Sequence, residues 1–370
     1  MSLASRVNAA LATVNVQFVR KTGLERLRLL EQEFQDLLNE YQGLKAHYHQ
    51  LRDRLHLPDY HNLEAPSPPT DLPDGAAYLL IPSNARLTEL TQRYRSLTDP
   101  LQVTSRWTES FIQQQVDLYR FRAPGTYLGH AHALNTDAHY ALAFYYLRSL
   151  DTRGFGAAFS EDALFGMPTT VVGDRTISQD WLDSLAELLF LERHLCLSQL
   201  TQFNVVDIGA GYGRFAHRLT QAMPHLGTVF CTDAIATSTF LCEYYLNVRG
   251  VRDRAITVPL DELRSTLTTQ PVQLATSLRT FSDMPLDTIS AWLDALLEFQ
   301  IPYLMVVPDA VGQETPHLLS MEKDGSRLDY RPLIEQRGYQ AIACDPKFLD
   351  NTVQANGIAP TYHLLFKKLQ

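Results

Sequence analysis

Residues 205–215 read Val-Val-Asp-Ile-Gly-Ala-Gly-Tyr-Gly-Arg-Phe. A short apolar run meets three glycines at alternate positions, and a helical pattern follows. Glycine lets a backbone approach a ligand closely and adopt positive φ. The N-terminus of the following helix offers unpaired N–H groups and the positive end of a dipole. Together these describe a nucleotide-type site at the carboxyl edge of an open α/β sheet. A tight turn without a ligand is the plain alternative, and three glycines weigh against it.

The spacing narrows the ligand. A G-x-G-x-x-G dinucleotide turn needs glycine at 214, where the chain has Arg214. Asp207 stands two residues before Gly209, at the expected mouth of the strand. A carboxylate there repels a pyrophosphate and attracts a cationic sulfonium carrying an ammonium group. Asp233 closes the next apolar run, 24 residues beyond Gly209, where it can accept from two ribose hydroxyls.

The elements that must hold these groups follow from periodicity. After Phe203, strands are expected at NVVDIG, TVFCTD, AITVPL, VQLATSL, YLMVVPD, YQAIACDP and YHLLFKKL, with helical stretches between most of them. That alternation implies a mainly parallel sheet with helices on both faces. Residues 105–200 read mostly helical, with Asp137 and Ser178 as N-caps and a Gly/Phe-rich loop over Thr152–Gly173. Six prolines between Pro58 and Pro82 mark a linker. Before it, Leu27, Leu30, Phe34, Leu37, Tyr41, Leu44, Tyr48, Leu51 and Leu55 keep a strict heptad seam. The expected layout is a coiled-coil helix over 1–57, a linker over 58–83, a helical, acceptor-binding cap over 84–202 and a donor-binding domain over 203–370. The seam predicts a homodimer, the alternative being a helix that packs on its own enzyme body.

The stretch VVDIGAGYGRFA resembles motif I of class I S-adenosylmethionine-dependent methyltransferases. More narrowly, the chain resembles a family of sugar O-methyltransferases over residues 105–368. The matching pieces are Phe165-Gly166-Met167-Pro168, Ile177-Ser178-Gln179-Asp180 before a long helix, and the IGAGYG turn. Glu243-Tyr244-Tyr245-Leu246, Thr280-Phe281-Ser282-Asp283-Met284-Pro285 and Tyr362-His363-Leu364-Leu365-Phe366 complete them. After Asp233, Ala-Ile stands where the family has Leu-Pro. The resemblance implies an α/β, Rossmann-like class I methyltransferase sheet and S-adenosylmethionine as cofactor. Asp207, Gly209, Ala210, Gly211, Tyr212, Gly213, Asp233 and Ala234 would bind it, with Tyr212 pointing toward cofactor or substrate. It also implies a small, sugar-like acceptor.

Methyl transfer to oxygen needs in-line alignment and removal of one proton. Asp283, just beyond the fourth strand, is a candidate for that proton, or else the N-cap of PLDTISAWLDALLEF. His130 and His132 are further candidates, since an imidazole titrates near neutrality. With His139 and Asp137 they also allow a metal reading, although their spacing matches no common site and no metal is expected. Arg153, Arg279 and Ser282 are candidate acceptor-binding residues. Phe155, Phe159 and Phe165 would form a lid or fill the core. Transfer to nitrogen or carbon of a peptide- or polyketide-like product, and a non-catalytic scaffold that binds the donor, are the competing functions.

Composition sets outer limits. Lys+Arg 32 against Asp+Glu 41 leaves a formal net charge of −9, with a pI near 5.7, which excludes a generally basic nucleic-acid binder. No apolar run is long enough to span a membrane, and the N-terminal stretch lacks a signal-peptide core. Cys196, Cys231, Cys242 and Cys344 form no Cys-x-x-Cys pair. They suit thiols in a reducing cytosol, so a cytoplasmic location is expected.

Overall fold

A computed structural model describes residues 71–123, 137–309 and 316–369. The heptad seam, the linker as far as residue 70, and His130 and His132 lie outside the described residues.

All seven expected strands form one sheet. After a hairpin of β1 (Thr170–Val172) and β2 (Arg175–Ile177), its members are β3 (Val205–Ile208), β4 (Val229–Thr232), β5 (Ala255–Thr257), β6 (Leu274–Leu278), β7 (Tyr303–Val307), β8 (Tyr339–Pro346) and β9 (Tyr362–Lys368). The order is β5-β4-β3-β6-β7-β9-β8. The first five strands are parallel, and β9 runs antiparallel between β7 and β8. β3 and β4 are buried along their whole length, which explains why they read as unbroken apolar runs rather than alternating ones. The chain moves outward from β3 in one direction to β5, then restarts on its other side at β6. That reversal opens a crevice at the carboxyl ends of β3, β4 and β6.

The main helices are α1 (Ala85–Arg95), α2 (Asp137–Leu150), α3 (Gln179–Leu195), α4 (Arg214–Ala222), α5 (Ala236–Val248), α6 (Leu263–Thr269), α7 (Leu286–Glu298) and α8 (Arg331–Gln336). Ser178 caps α3 as expected, its Oγ accepting from Trp181 N at 3.1 Å. Asp137 is the first residue of α2 itself, and its carboxylate accepts from Thr170. Within the stretch expected to be helical over 105–122, only Glu109–Gln115 is. Asp117 ends it, because its carboxylate accepts from the N–H groups of Tyr119 and Arg120 and stabilises a turn instead. The expected loop at 152–173 runs into the β1–β2 hairpin. Its two-residue Gly173-Asp174 turn has Gly173 at φ 63°, a hairpin signal present in the sequence.

One cluster of buried apolar side chains runs from Ala76 to Phe366. The segment before 203 therefore shares its core with the sheet. α3 carries this furthest: every residue from Gln179 to Leu191 is buried. Its apolar side joins the common core, while Asp180, Asp183, Ser184 and Glu187 line a polar side that must find partners. α1 lies along α5, where Arg86 pairs with Glu243 at 2.6 Å. Tyr94 donates to the carbonyl of Asp233 and receives the N–H of Leu260. No helix among the described residues is long and apolar enough to cross a membrane.

Candidate functional site

The crevice is built outward from the glycine turn. β3 ends at Ile208, and Gly209 follows at φ 68°. A Cβ on Gly209 would sit 2.2 Å from Thr280 Cγ2, so the turn and the end of β6 are pressed together in a way only glycine permits. Gly213 at φ 88° then starts α4. Across the turn, Asp233 accepts from Gly211 N through Oδ2 and from Ile235 N through Oδ1, both at 3.0 Å. Burial pushes its pKa up to about 7, outweighing those two N–H donors and Ser238. The carboxylate lines the cleft between these donors.

The opposite wall comes from β6, β7 and an upstream strap. Arg279 takes a left-handed conformation (φ 70°), its N–H donating to the carbonyl of Val307 at 2.7 Å. Asp283 follows one turn later. Its Oδ2 accepts from Trp107 Nε1 at 2.9 Å, and its Oδ1 lies 3.4 Å from Arg106 Nη1. Ser105 N binds the Asp283 carbonyl at 3.0 Å, so residues 104–107 are tied to the turn by both backbone and side chain. Burial raises the Asp283 pKa, with Asp309 adding to the effect, while Arg106 and Trp107 oppose it. Gly209, Gly211, Asp233, Ala234, Arg279 and Asp283 line this cleft together with Thr104, Arg106, Trp107, Ser238 and Asp309.

Several expected site residues sit elsewhere. Asp207 does not reach the mouth of the strand. It is buried inside β3, where Thr276 donates to it at 2.6 Å, and burial pushes its pKa up to about 7. Tyr212 turns away from the cleft: it is buried, its hydroxyl donates to Asp180, and its ring meets Phe121 and Tyr245. Gly213 backs onto Cys242 and Leu246, and Ala210, half-buried, packs on the apolar core. Ser282 is buried with Oγ accepting from Asp309 N, so it supports the cleft from behind. Arg153 is half exposed and pairs with Glu192, away from the cleft. Phe155, Phe159 and Phe165 are core residues. Asp283 is not a cap, because Pro285 occupies that position before α7 with no side-chain bond. His139 lies on α2, its pKa lowered by burial. No group of three or more potential metal ligands occurs among the described residues.

Sequence reasoning missed the strap. Thr104, Arg106 and Trp107 lie in no regular element, and nothing local signals that they will meet Asp283, some 176 residues away. It also missed the charges beneath the site. Arg214 makes two 2.8 Å bonds to Glu187 and one to Ser184. Lys347 donates to Asp183 and to the carbonyl of Ile358 at 2.6 Å. Burial pushes Asp180 up to about 6 despite Arg214 and Arg122. Burial acts on Asp183 too, but there Lys347, Arg279 and Arg214 prevail and hold it well below the usual carboxylate range. The same helix thus carries two acids shifted in opposite directions, Asp180 upward and Asp183 downward.

No family model and no curated protein matches the chain. Solved structures do. A SAM-dependent methyltransferase from Aquifex aeolicus is 15% identical, covering 50% of this chain and 89% of its own, with a TM-score of 0.36. An O-methyltransferase family protein from Burkholderia thailandensis is 11% identical over 51% and 60%, with a TM-score of 0.35. TrmK of M. capricolum, solved with S-adenosylhomocysteine, is 12% identical over 48% and 68%, with a TM-score of 0.31. Alignments this partial carry no weight for activity, and the α/β fold stands on the strand order itself.

Proposed function

We propose that this chain is an S-adenosylmethionine-dependent O-methyltransferase acting on a hydroxyl of a small, sugar-like acceptor. The observation that carries the reading is the placement of Asp233 and Asp283 on one cleft, on either side of the Gly209–Gly213 turn. Asp233, a carboxylate lining the cleft at the end of β4, suits the vicinal hydroxyls of a ribose. Gly209 and Gly211 leave room for a ligand to lie against the backbone. When bound, the donor supplies an electrophilic methyl group on a positively charged sulfur.

The chain's own residues supply position and proton transfer. Asp283 is held by Trp107 and Arg106 in one orientation, at the cleft edge where an acceptor enters. Its carboxylate takes the hydroxyl proton as the oxygen becomes a nucleophile. The strap presents an indole and a guanidinium beside two carboxylates, Asp283 and Asp309, a mixture that suits a polyhydroxylated ring better than an apolar one. Before the described region, the heptad seam supports a homodimer through residues 24–57, which light scattering on the full chain and on a chain lacking 1–57 tests directly.

Two measurements test the function. Calorimetry with S-adenosylhomocysteine should show binding that weakens in Asp233→Ala. A screen of sugar, phenol and amine acceptors with methyl-labelled donor should place the label on a hydroxyl. Unchanged affinity in the variant would refute the donor site, and label on nitrogen or carbon alone would refute the acceptor class.

A further inference from the structure

Just beyond β7 the backbone around Asp309 is fixed from both sides. The carbonyl of Pro308 accepts from Thr361 Oγ1 at 2.9 Å, and Asp309 N donates to Ser282 Oγ at 3.1 Å. Ser282 is itself buried, and its carbonyl accepts from Arg327 at 2.8 Å. Asp309 is thereby set beside the Asp283 turn, and both residues line the cleft.

The two carboxylates differ in what answers them. Asp283 has Trp107 Nε1 at 2.9 Å and Arg106 Nη1 at 3.4 Å. The Asp309 carboxylate, on a half-buried residue, has no hydrogen bond and no ion pair among the described residues. It faces a like charge instead, since its field acts on Asp283 and raises that pKa. A carboxylate partly withdrawn from water beside a second one is costly unless a donor or a cation pairs with it. The contacts that hold the chain here are made by backbone groups, not by that charge. The charge is therefore left for a ligand. An anionic ligand would be repelled by both acids. A neutral hydroxyl would leave Asp309 uncompensated, whereas an ammonium compensates it and makes a charge-assisted bond.

We propose that Asp309 selects the acceptor by binding an ammonium group on the carbon next to the hydroxyl that is methylated. The acceptor class is thus an amino sugar. This rests on the O-methyltransferase reading above, with Asp283 as the base. The two acids divide the work. Asp283 takes the hydroxyl proton as the oxygen gains the methyl group and the sulfonium becomes a neutral thioether. Asp309 keeps the neighbouring nitrogen protonated, so that nitrogen has no lone pair with which to compete for the methyl. The nearby positive charge also makes the hydroxyl more acidic, which eases the loss of its proton to Asp283.

The test uses the full chain, methyl-labelled S-adenosylmethionine and methyl glycosides of amino hexoses, each matched by the parent hexose and by the N-acetylated form. Wild type should label an amino hexoside on oxygen, with kcat/KM about 10–100-fold above its two counterparts. Asp309→Asn should erase that preference, and Asp309→Glu should keep part of it. Removing the like charge should also move the acid limb of the kcat profile to lower pH, a shift that a structural loss alone does not produce. Arg106 on the strap, Arg327 on the Ser282 carbonyl and Glu322 on the N–H of Leu286 are unchanged in the variant, so the shift reports Asp309. A wild type that labels the parent or N-acetylated form as readily as the amine overturns the proposal without reference to any variant. So does label on the nitrogen, and so does a preference that persists in Asp309→Asn. A chain that labels no hexoside of any form overturns the sugar-like reading beneath the proposal, and one that does not bind S-adenosylhomocysteine overturns the donor reading; both are distinct outcomes.

Discussion

The indole nitrogen of Trp107 lies 2.9 Å from Oδ2 of Asp283, joining a strap near the start of the described chain to the turn after β6. An N–H donor stabilises the ionised carboxylate and so lowers its pKa, against the burial that raises it. Asp283→Asn removes the proton acceptor and the charge facing Arg106, while its amide oxygen can still accept from Trp107 Nε1 and no helix cap is lost. With an acceptor from the screen in hand, kcat should fall about 10²–10⁴-fold while donor affinity holds. Near-normal turnover would show that the proton leaves by another route.

Trp107→Phe separates positioning from chemistry. Losing the N–H lets burial raise the Asp283 pKa further. A base must be ionised to work, so the acid limb of the kcat profile should move to higher pH, with the plateau less affected than in Asp283→Asn. A uniform drop at all pH values would mean that Trp107 only packs.

Donor affinity should also depend on pH through Asp233. Its pKa is pushed up to about 7, and the ionised form is the stronger acceptor for the ribose hydroxyls of the proposed donor. Affinity for S-adenosylhomocysteine should therefore be level above about pH 8 and decline as pH falls through 7, by up to about tenfold per unit. Asp233→Asn should abolish the slope. Asp207 titrates in the same range but lies inside the sheet, so a slope that survives in Asp233→Asn would point there instead.

The sheet and the glycine turn were legible because strand periodicity and glycine spacing are local signals. Asp233 was legible because a strand end places it. Tyr212 misled because residues alternate direction through the turn, and the large ring was drawn to Phe121 and Tyr245 in the core. Asp207 misled because Thr276 on the neighbouring strand satisfies it within the sheet, and neighbouring strands are not adjacent in sequence. Trp107 and Lys347 could not be found by pattern. Their roles come from tertiary contacts across 176 and 164 residues, and neither stands in a motif.

Two glycines at the same φ isolate what the turn requires. Gly209 and Gly250 both sit at φ 68°, but a Cβ meets Thr280 at 2.2 Å in the first and nothing within 4 Å in the second. Gly250→Ala should cost only the left-handed strain, about 1–2 kcal/mol. Gly209→Ala adds overpacking of about 1–3 kcal/mol and displaces Thr280 from the cleft wall. Urea denaturation should rank them in that order, with donor binding impaired in Gly209→Ala alone. Equal losses would mean that the Thr280 contact relaxes freely.

The Lys347–Asp183 pair makes the last test, because here the unpaired state is worse than no pair at all. Lys347 is enclosed, and it neutralises a carboxylate on a helix buried on every side. Lys347→Met leaves Asp183 with the long contact to Arg279 and should cost about 3–5 kcal/mol, as expected for one stranded partner of a buried pair. The double variant Lys347→Met/Asp183→Asn removes both charges and should recover most of that loss. The pH dependence supplies an independent sign. Asp183 is held well below its unfolded pKa, so its stabilisation is present above the ordinary carboxylate range and is lost as pH falls below it. Wild-type stability should therefore fall more steeply in acid than that of the double variant. If the double variant is as unstable as Lys347→Met and shows the same acid limb, the ammonium contributes by filling space and binding the Ile358 and Ala359 carbonyls, and not through its charge.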